Sequence, residues 1–72
     1  MKKIKKIKIK VNGKIKLFMN RGRISDLLDS LKIPLKKVAI ELNEEIIDKK
    51  KINRIKLKNG DKIEIVHFIG GG

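Results

Sequence analysis

The chain closes on Ile69-Gly70-Gly71-Gly72, and the α-carboxylate of Gly72 is the reactive group it presents. Glycine has no Cβ, so such a segment can pass through a narrow slot and adopt backbone angles closed to other residues. Four extended residues from Ile69 reach roughly 13 Å. That is far enough to place a carboxylate inside another protein's active site, with Gly70 and Gly71 supplying clearance. The plain alternative is a frayed end or an expression scar.

The rest of the catalytic inventory is thin. The chain has no Cys, Tyr, Trp, Thr or Gln, a single His (His67), and Ser only at positions 25 and 30. No nucleophile, base and orienting group can be assembled from these. The carboxylates are scattered, with no metal-ligand spacing. These residues suit a substrate of enzymes, or a binding partner, better than an enzyme.

Seventy-two residues make one small domain, expected over 1–69, with 70–72 as a flexible glycine tail. The hydrophobic fraction of 40% is enough to fold a chain that is 39% charged. The basic N-terminus, Met1-Lys2-Lys3-Ile4-Lys5-Lys6-Ile7, lacks the apolar core of a signal peptide, and no run approaches a membrane span. A cytoplasmic home and no membrane partner are expected. The formal net charge is +12, carried almost wholly by Lys, with Arg only at 21, 23 and 54. Readers of nucleic acid favour Arg for base edges and aromatics for stacking, and the aromatics here are only Phe18 and Phe68. A nucleic-acid partner is therefore disfavoured.

These residues must be positioned by strands and one helix. Ile7, Ile9 and Val11 alternate with Lys6, Lys8 and Lys10, and Asn12-Gly13 is a strong hairpin signal. Lys14 to Met19 resumes the alternation, with Ile15, Leu17 and Met19 on one face. Asn20 to Arg23 turns the chain. Ile24, Leu27, Leu28 and Leu31 recur at helical spacing, and Pro34 stops the helix. Ser25 reads as a helix cap, or Asp26 substitutes, and Ser30 as a helix-surface residue. Val38, Ile40 and Leu42 form a third strand. Glu44-Glu45 turns, Ile46-Ile47 pairs briefly, and Asp48 to Lys51 loops. Ile52, Ile55 and Leu57 cap the core, Asn59-Gly60-Asp61 turns, and Lys62 to Ile69 forms the last strand. A hairpin followed by a helix that must cover one face of a sheet is the α+β layout of a β-grasp, ubiquitin-like fold: a mixed sheet of four to five strands on one helix.

The chain resembles the ThiS group of sulfur-carrier proteins within the ThiS/MoaD superfamily. The matching segments are Val11-Asn12-Gly13-Lys14, Ser25-Asp26-Leu27-Leu28, Val38 to Asn43 and Gly60 to Gly72, the last being the most specific. The family's usual Thr or Ser before the helix is Arg23 or Ile24 here. The resemblance implies that an E1-like adenylyltransferase, using ATP and Mg²⁺, activates the Gly72 carboxylate. A sulfur donor such as a cysteine desulfurase then makes a thiocarboxylate, and thiazole synthase takes the sulfur for the thiazole ring of thiamine. No cofactor is implied on the chain itself. A chain without Cys cannot hold sulfur as its own persulfide, which leaves the carboxy terminus as carrier. Sibling readings are a carrier for molybdopterin synthesis or tRNA thiolation. Others are a ubiquitin-like conjugation tag and a small basic RNA-binding β-grasp domain.

Alternation in the last strand puts Ile63 and Ile65 inward and Glu64, Val66 and Phe68 on the open face. Lys6, Lys8 and Lys10, then Lys14 and Lys16, then Ala39 and Glu41 are expected on that face, making an apolar centre with a Lys rim. Val66 and Phe68, flanked by Ala39 and Glu41, form the expected docking patch for the activating enzyme. The plainer outcomes are that Phe68 folds over its own sheet and that the lysines are solvated. The alternative for the rim is electrostatic steering onto an acidic partner. His67 reads as structural or exposed beside the tail.

Overall fold

The computed structural model describes residues 6–68. Strands β1 (Lys6–Val11) and β2 (Lys14–Met19) lead into helix α1 (Ile24–Leu31), and β3 (Val38–Leu42), β4 (Glu45–Ile46) and β5 (Lys62–His67) follow. Short 3₁₀ turns lie at Leu35–Lys37 and Lys49–Lys51. The five strands form one mixed sheet in the order β2-β1-β5-β3-β4. β5 is central, parallel to β1 and antiparallel to β3, as the β-grasp expectation requires.

Local chemistry explains each element. Asn12 (φ 50) and Gly13 (φ 85) supply the two positive φ angles that match a two-residue hairpin to strand twist. α1 begins at Arg23, whose backbone N–H donates to the Asp26 carboxylate at 2.8 Å. The Arg23 side chain has no acceptor; Asp26 takes the Arg23 N–H and suits the helix dipole, while the Ile55 and Ile52 carbonyls accept from the first helical N–H groups, those of Ile24 and Ser25. Ser25 lies inside the helix and is not the cap. At the other end Lys32 is left-handed (φ 58), and the N–H of Ile33 reaches the carbonyl of Leu28, a Schellman-type stop just before Pro34.

The core lies between the sheet and α1. Ile7, Ile9, Phe18, Ile24, Leu27, Leu28, Val38, Ile40, Ile52, Leu57, Ile63 and Ile65 form it. Ile52 and Leu57 close it from the irregular segment after β4, as expected from sequence, with Ile55 partly buried.

Three expectations are corrected. First, β2 turns the opposite face inward. The hairpin pairs Val11 with Lys14, Ile9 with Lys16 and Ile7 with Phe18, so Lys14, Lys16 and Phe18 share the inner face of β1. Phe18 is 5% exposed, whereas Ile15, Leu17 and Met19 are 67%, 59% and 52% exposed on the open face. A two-residue turn fixes this parity, and apolar alternation in β2 cannot overrule it. Second, the β3–β4 turn falls at Asn43 and Glu44, both at positive φ, and Glu45 already belongs to β4. Third, β5 ends at His67; Ile69 lies outside the described residues.

Candidate functional site

The glycine tail is reached through β5. On its β3 side, this strand pairs Leu42 with Ile63, Glu41 with Glu64, Ile40 with Ile65, Ala39 with Val66 and Val38 with His67. The Phe68 N–H extends the pairing by one bond, to the Lys37 carbonyl at 2.9 Å. On its β1 side the ladder covers only Lys62 and Ile63, because β1 ends at Val11. There the Asn12 side chain takes over. Its Oδ1 accepts from the Ile65 N–H and its Nδ2 donates to the Ile65 carbonyl at 3.1 Å. An amide side chain thus stands in for one more residue of β1. Beyond Ile65, among the described residues, β5 is paired on the β3 side alone, and it is this stretch that precedes the glycines in sequence.

Two further asparagines hold the start of β5. Asn43 Oδ1 accepts from the Lys62 N–H at 2.9 Å, and Asn59 Oδ1 accepts from the Lys8 N–H at 2.8 Å. Asp61 Oδ2 accepts from the Lys58 N–H at 2.8 Å, closing the turn before β5.

Near the tail, the open face carries a small apolar patch. Val66 and Ala39 are cross-strand partners on that face, and Phe68 is 53% exposed at its edge. Phe68 is not covered by a loop, but the Lys49 ammonium stands 5.0 Å from its ring centroid. Glu41 and Glu64 face each other on the next rung, and Ile46 of β4 pairs with Glu41. The expected residues Val66, Ala39 and Glu41 therefore share one surface, with Phe68 at its margin. His67 is exposed. Gly70, Gly71 and Gly72 lie outside the described residues.

The expected Lys rim around this patch is not formed. The parallel register sets Lys10 beside Lys62, four residues before Val66, or about 13 Å along the strand. Lys8 and Lys6 lie further away still. Lys14 and Lys16 are on the inner face, and Ile15, Leu17 and Met19 take their place outside. The open face thus has a small apolar patch near the end of β5 and, remote from it, Lys6, Lys8 and Lys10 set beside the exposed Met19, Leu17 and Ile15. Strand stagger creates that separation, and alternation within single strands carries no signal for it.

Among the described residues no group of His, Cys, Asp and Glu could hold a metal, and no helix is long and apolar enough to cross a membrane.

The ThiS family model matches residues 9–72. The chain belongs to the ThiS family. It is 45% identical over 65 residues to the sulfur carrier protein ThiS of Bacillus subtilis, spanning 89% of this chain and 98% of that one. A thiazole synthase of Paramagnetospirillum magneticum is 39% identical over 66 residues; this covers 92% of the chain but only 20% of that longer protein. The crystal structure of the thiamine biosynthesis protein ThiS from Geobacter metallireducens superposes with a TM-score of 0.75 at 30% identity, covering 92% of this chain and 100% of that one. The β-grasp architecture of this ThiS-family chain is thereby matched across nearly its whole length.

Proposed function

We propose that the chain is a sulfur carrier of thiamine biosynthesis, acting through a thiocarboxylate on Gly72. The observation that carries this reading is the match to the Bacillus subtilis sulfur carrier over 98% of that protein's length. The chain is then a carrier handled by enzymes, in keeping with its sparse catalytic inventory.

The chemistry follows from the carboxylate. A free carboxylate is a poor electrophile. An E1-like adenylyltransferase joins a Gly72 oxygen to the α-phosphorus of ATP, with Mg²⁺ on the phosphates, and pyrophosphate leaves. The terminal sulfur of a persulfide donor, such as that of a cysteine desulfurase, attacks the acyl carbon and AMP leaves. A thiol then reduces the S–S bond, freeing the thiocarboxylate. Thiazole synthase is the acceptor. A ThiS-like stretch matching one fifth of a protein named thiazole synthase supports that pairing. Gly70 and Gly71 would thread the partner's active site, and Val66, Phe68, Ala39 and Glu41 would dock the activating enzyme.

Intact-mass analysis tests this. The chain is incubated with ATP, Mg²⁺, the adenylyltransferase of the same organism, a persulfide donor and a thiol reductant. The expected result is the mass gain of one sulfur-for-oxygen exchange, confined to the C-terminal fragment. An unchanged mass with active enzymes overturns the reading.

A further inference from the structure

At the end of the open face remote from the tail, Lys8, Lys10, Ile15, Asn43, Gly60 and Lys62 line a groove of about 370 Å³. Three strands and two turns converge to build it. β1 contributes Lys8 and Lys10, β2 contributes the exposed Ile15 opposite Lys10, and β5 contributes Lys62 beside Lys10.

The charge arrangement is costly. Like charges set opposite each other on neighbouring strands destabilise a sheet, and Lys10 and Lys62 are such a pair. Among the described residues the one ion pair is Lys62 with Glu44, at 3.2 Å, which leaves Lys8 and Lys10 without a carboxylate. The nearby turns commit their acidic and amide side chains elsewhere: Glu44 to Lys62, and Asn43 to the Lys62 N–H and the Asp61 carboxylate. Asp61 takes the Lys58 N–H, and Asn59 takes the Lys8 N–H. An incoming carboxylate relieves the repulsion that the fold leaves in place.

We propose that this groove docks an acidic segment of the enzyme that adenylates the tail, with an apolar residue of that segment seated on Ile15. The inference rests on the proposed function. Charge complementarity selects the occupant. A second copy of this +12 chain would bring its own lysines against these. RNA finds no arginine and no aromatic ring in the lining. The groove lies where β5 begins, and the six residues of that strand carry the chain about 20 Å before the C-terminal glycines follow in sequence. One partner can therefore hold the groove while its active site works on the carboxylate. Such a contact acts on encounter and binding, not on the chemical step.

The test is steady-state adenylation kinetics of the full chain with the same organism's adenylyltransferase. Lys8→Glu/Lys10→Glu is compared with Lys51→Glu/Arg54→Glu, which makes the same charge change in the exposed segment flanking Ile52. Thermal unfolding verifies that both variants are folded, and Lys8→Gln/Lys10→Gln serves as a milder pair. The groove reversal should raise KM for the carrier about tenfold or more with kcat within about twofold, and the control should raise KM by less than about threefold. The milder pair should flatten the salt dependence of kcat/KM. Equal KM rises in both reversals overturn the inference and leave the function reading intact. A wild-type chain that is never adenylated removes both. Binding of a single-stranded RNA oligonucleotide that is lost in the groove reversal, with KM unchanged, assigns the groove to nucleic acid instead.

Discussion

Asn12 and Ile65 exchange two hydrogen bonds, so a turn side chain completes the parallel ladder that β1 leaves unfinished. The same residue sits at φ 50 in the hairpin turn. One asparagine thus sets the β1–β2 register and pins β5 two residues before the strand ends at His67.

Asn12→Ala should destabilise the protein by about 2 kcal/mol, the sum of two net hydrogen bonds and the cost of a positive φ for alanine. Asn12→Gly keeps the backbone angle and should cost less. Urea denaturation measures both. Hydrogen exchange at the Ile65 amide should accelerate in each variant relative to amides in α1. If Asn12→Ala and wild type unfold at the same urea concentration, the side-chain ladder contributes nothing.

Phe18 and its neighbour Leu17 provide a test of strand parity. Phe18→Ala should cost about 3–5 kcal/mol, as for other buried aromatics. Leu17→Ala, on the open face, should fall within about 0.5 kcal/mol of wild type. Reversed magnitudes in chemical denaturation would mean that β2 pairs one residue out of this register.

Gly22 packs under that same ring. A Cβ there would clash with Phe18 Cε2 and would meet Met19 Cγ at 2.6 Å. Gly22→Ala should therefore destabilise by about 1–3 kcal/mol through overpacking. Thermal unfolding monitored by circular dichroism suffices to see it, and an unchanged Tm would show that the ring moves aside freely.

Phe68 should separate docking from folding. It is half exposed, and its visible intramolecular contribution is the Lys49 ammonium over its ring. Phe68→Ala should lower stability by less than about 1 kcal/mol, the scale of an exposed cation–π contact. Its adenylation kcat/KM should fall about tenfold or more if the ring anchors the activating enzyme. A normal rate from a folded Phe68→Ala chain would remove Phe68 from the docking patch.

Glu41 and Glu64 stand opposite each other on β3 and β5. Glu64→Lys should turn this like-charged pair into an opposite-charged one and stabilise the fold by about 0.5 kcal/mol. Differential scanning calorimetry in low salt is the measurement; a lower Tm in the variant would show that the two carboxylates do not repel across the rung.

Much of this fold is written locally. The Ile24-Leu27-Leu28-Leu31 spacing and Pro34 bound the helix, Asn12-Gly13 marks the hairpin, and alternation marks β1, β3 and β5. Even the parity of β2 was legible in principle. A two-residue turn after Val11 commits Lys14, Lys16 and Phe18 to the same face, and the more apolar alternation of Ile15, Leu17 and Met19 conceals this. The helix cap is less visible because a backbone N–H, not a side chain of Arg23, supplies the donor to Asp26.

The element order, the helix limits, the scarcity of catalytic groups and the closing glycines were all legible in the sequence. Periodicity and residue chemistry act within a few residues, so they survive without knowledge of neighbours. Tertiary structure alone decided what stands beside what. The stagger between β1 and β5 moved Lys8 and Lys10 away from Val66 and gathered them with Lys62 into a groove. It also left the Asn12 side chain opposite Ile65. Stagger is a relation between strands more than fifty residues apart, set by how the core packs and where each ladder begins, and no single strand's pattern contains it.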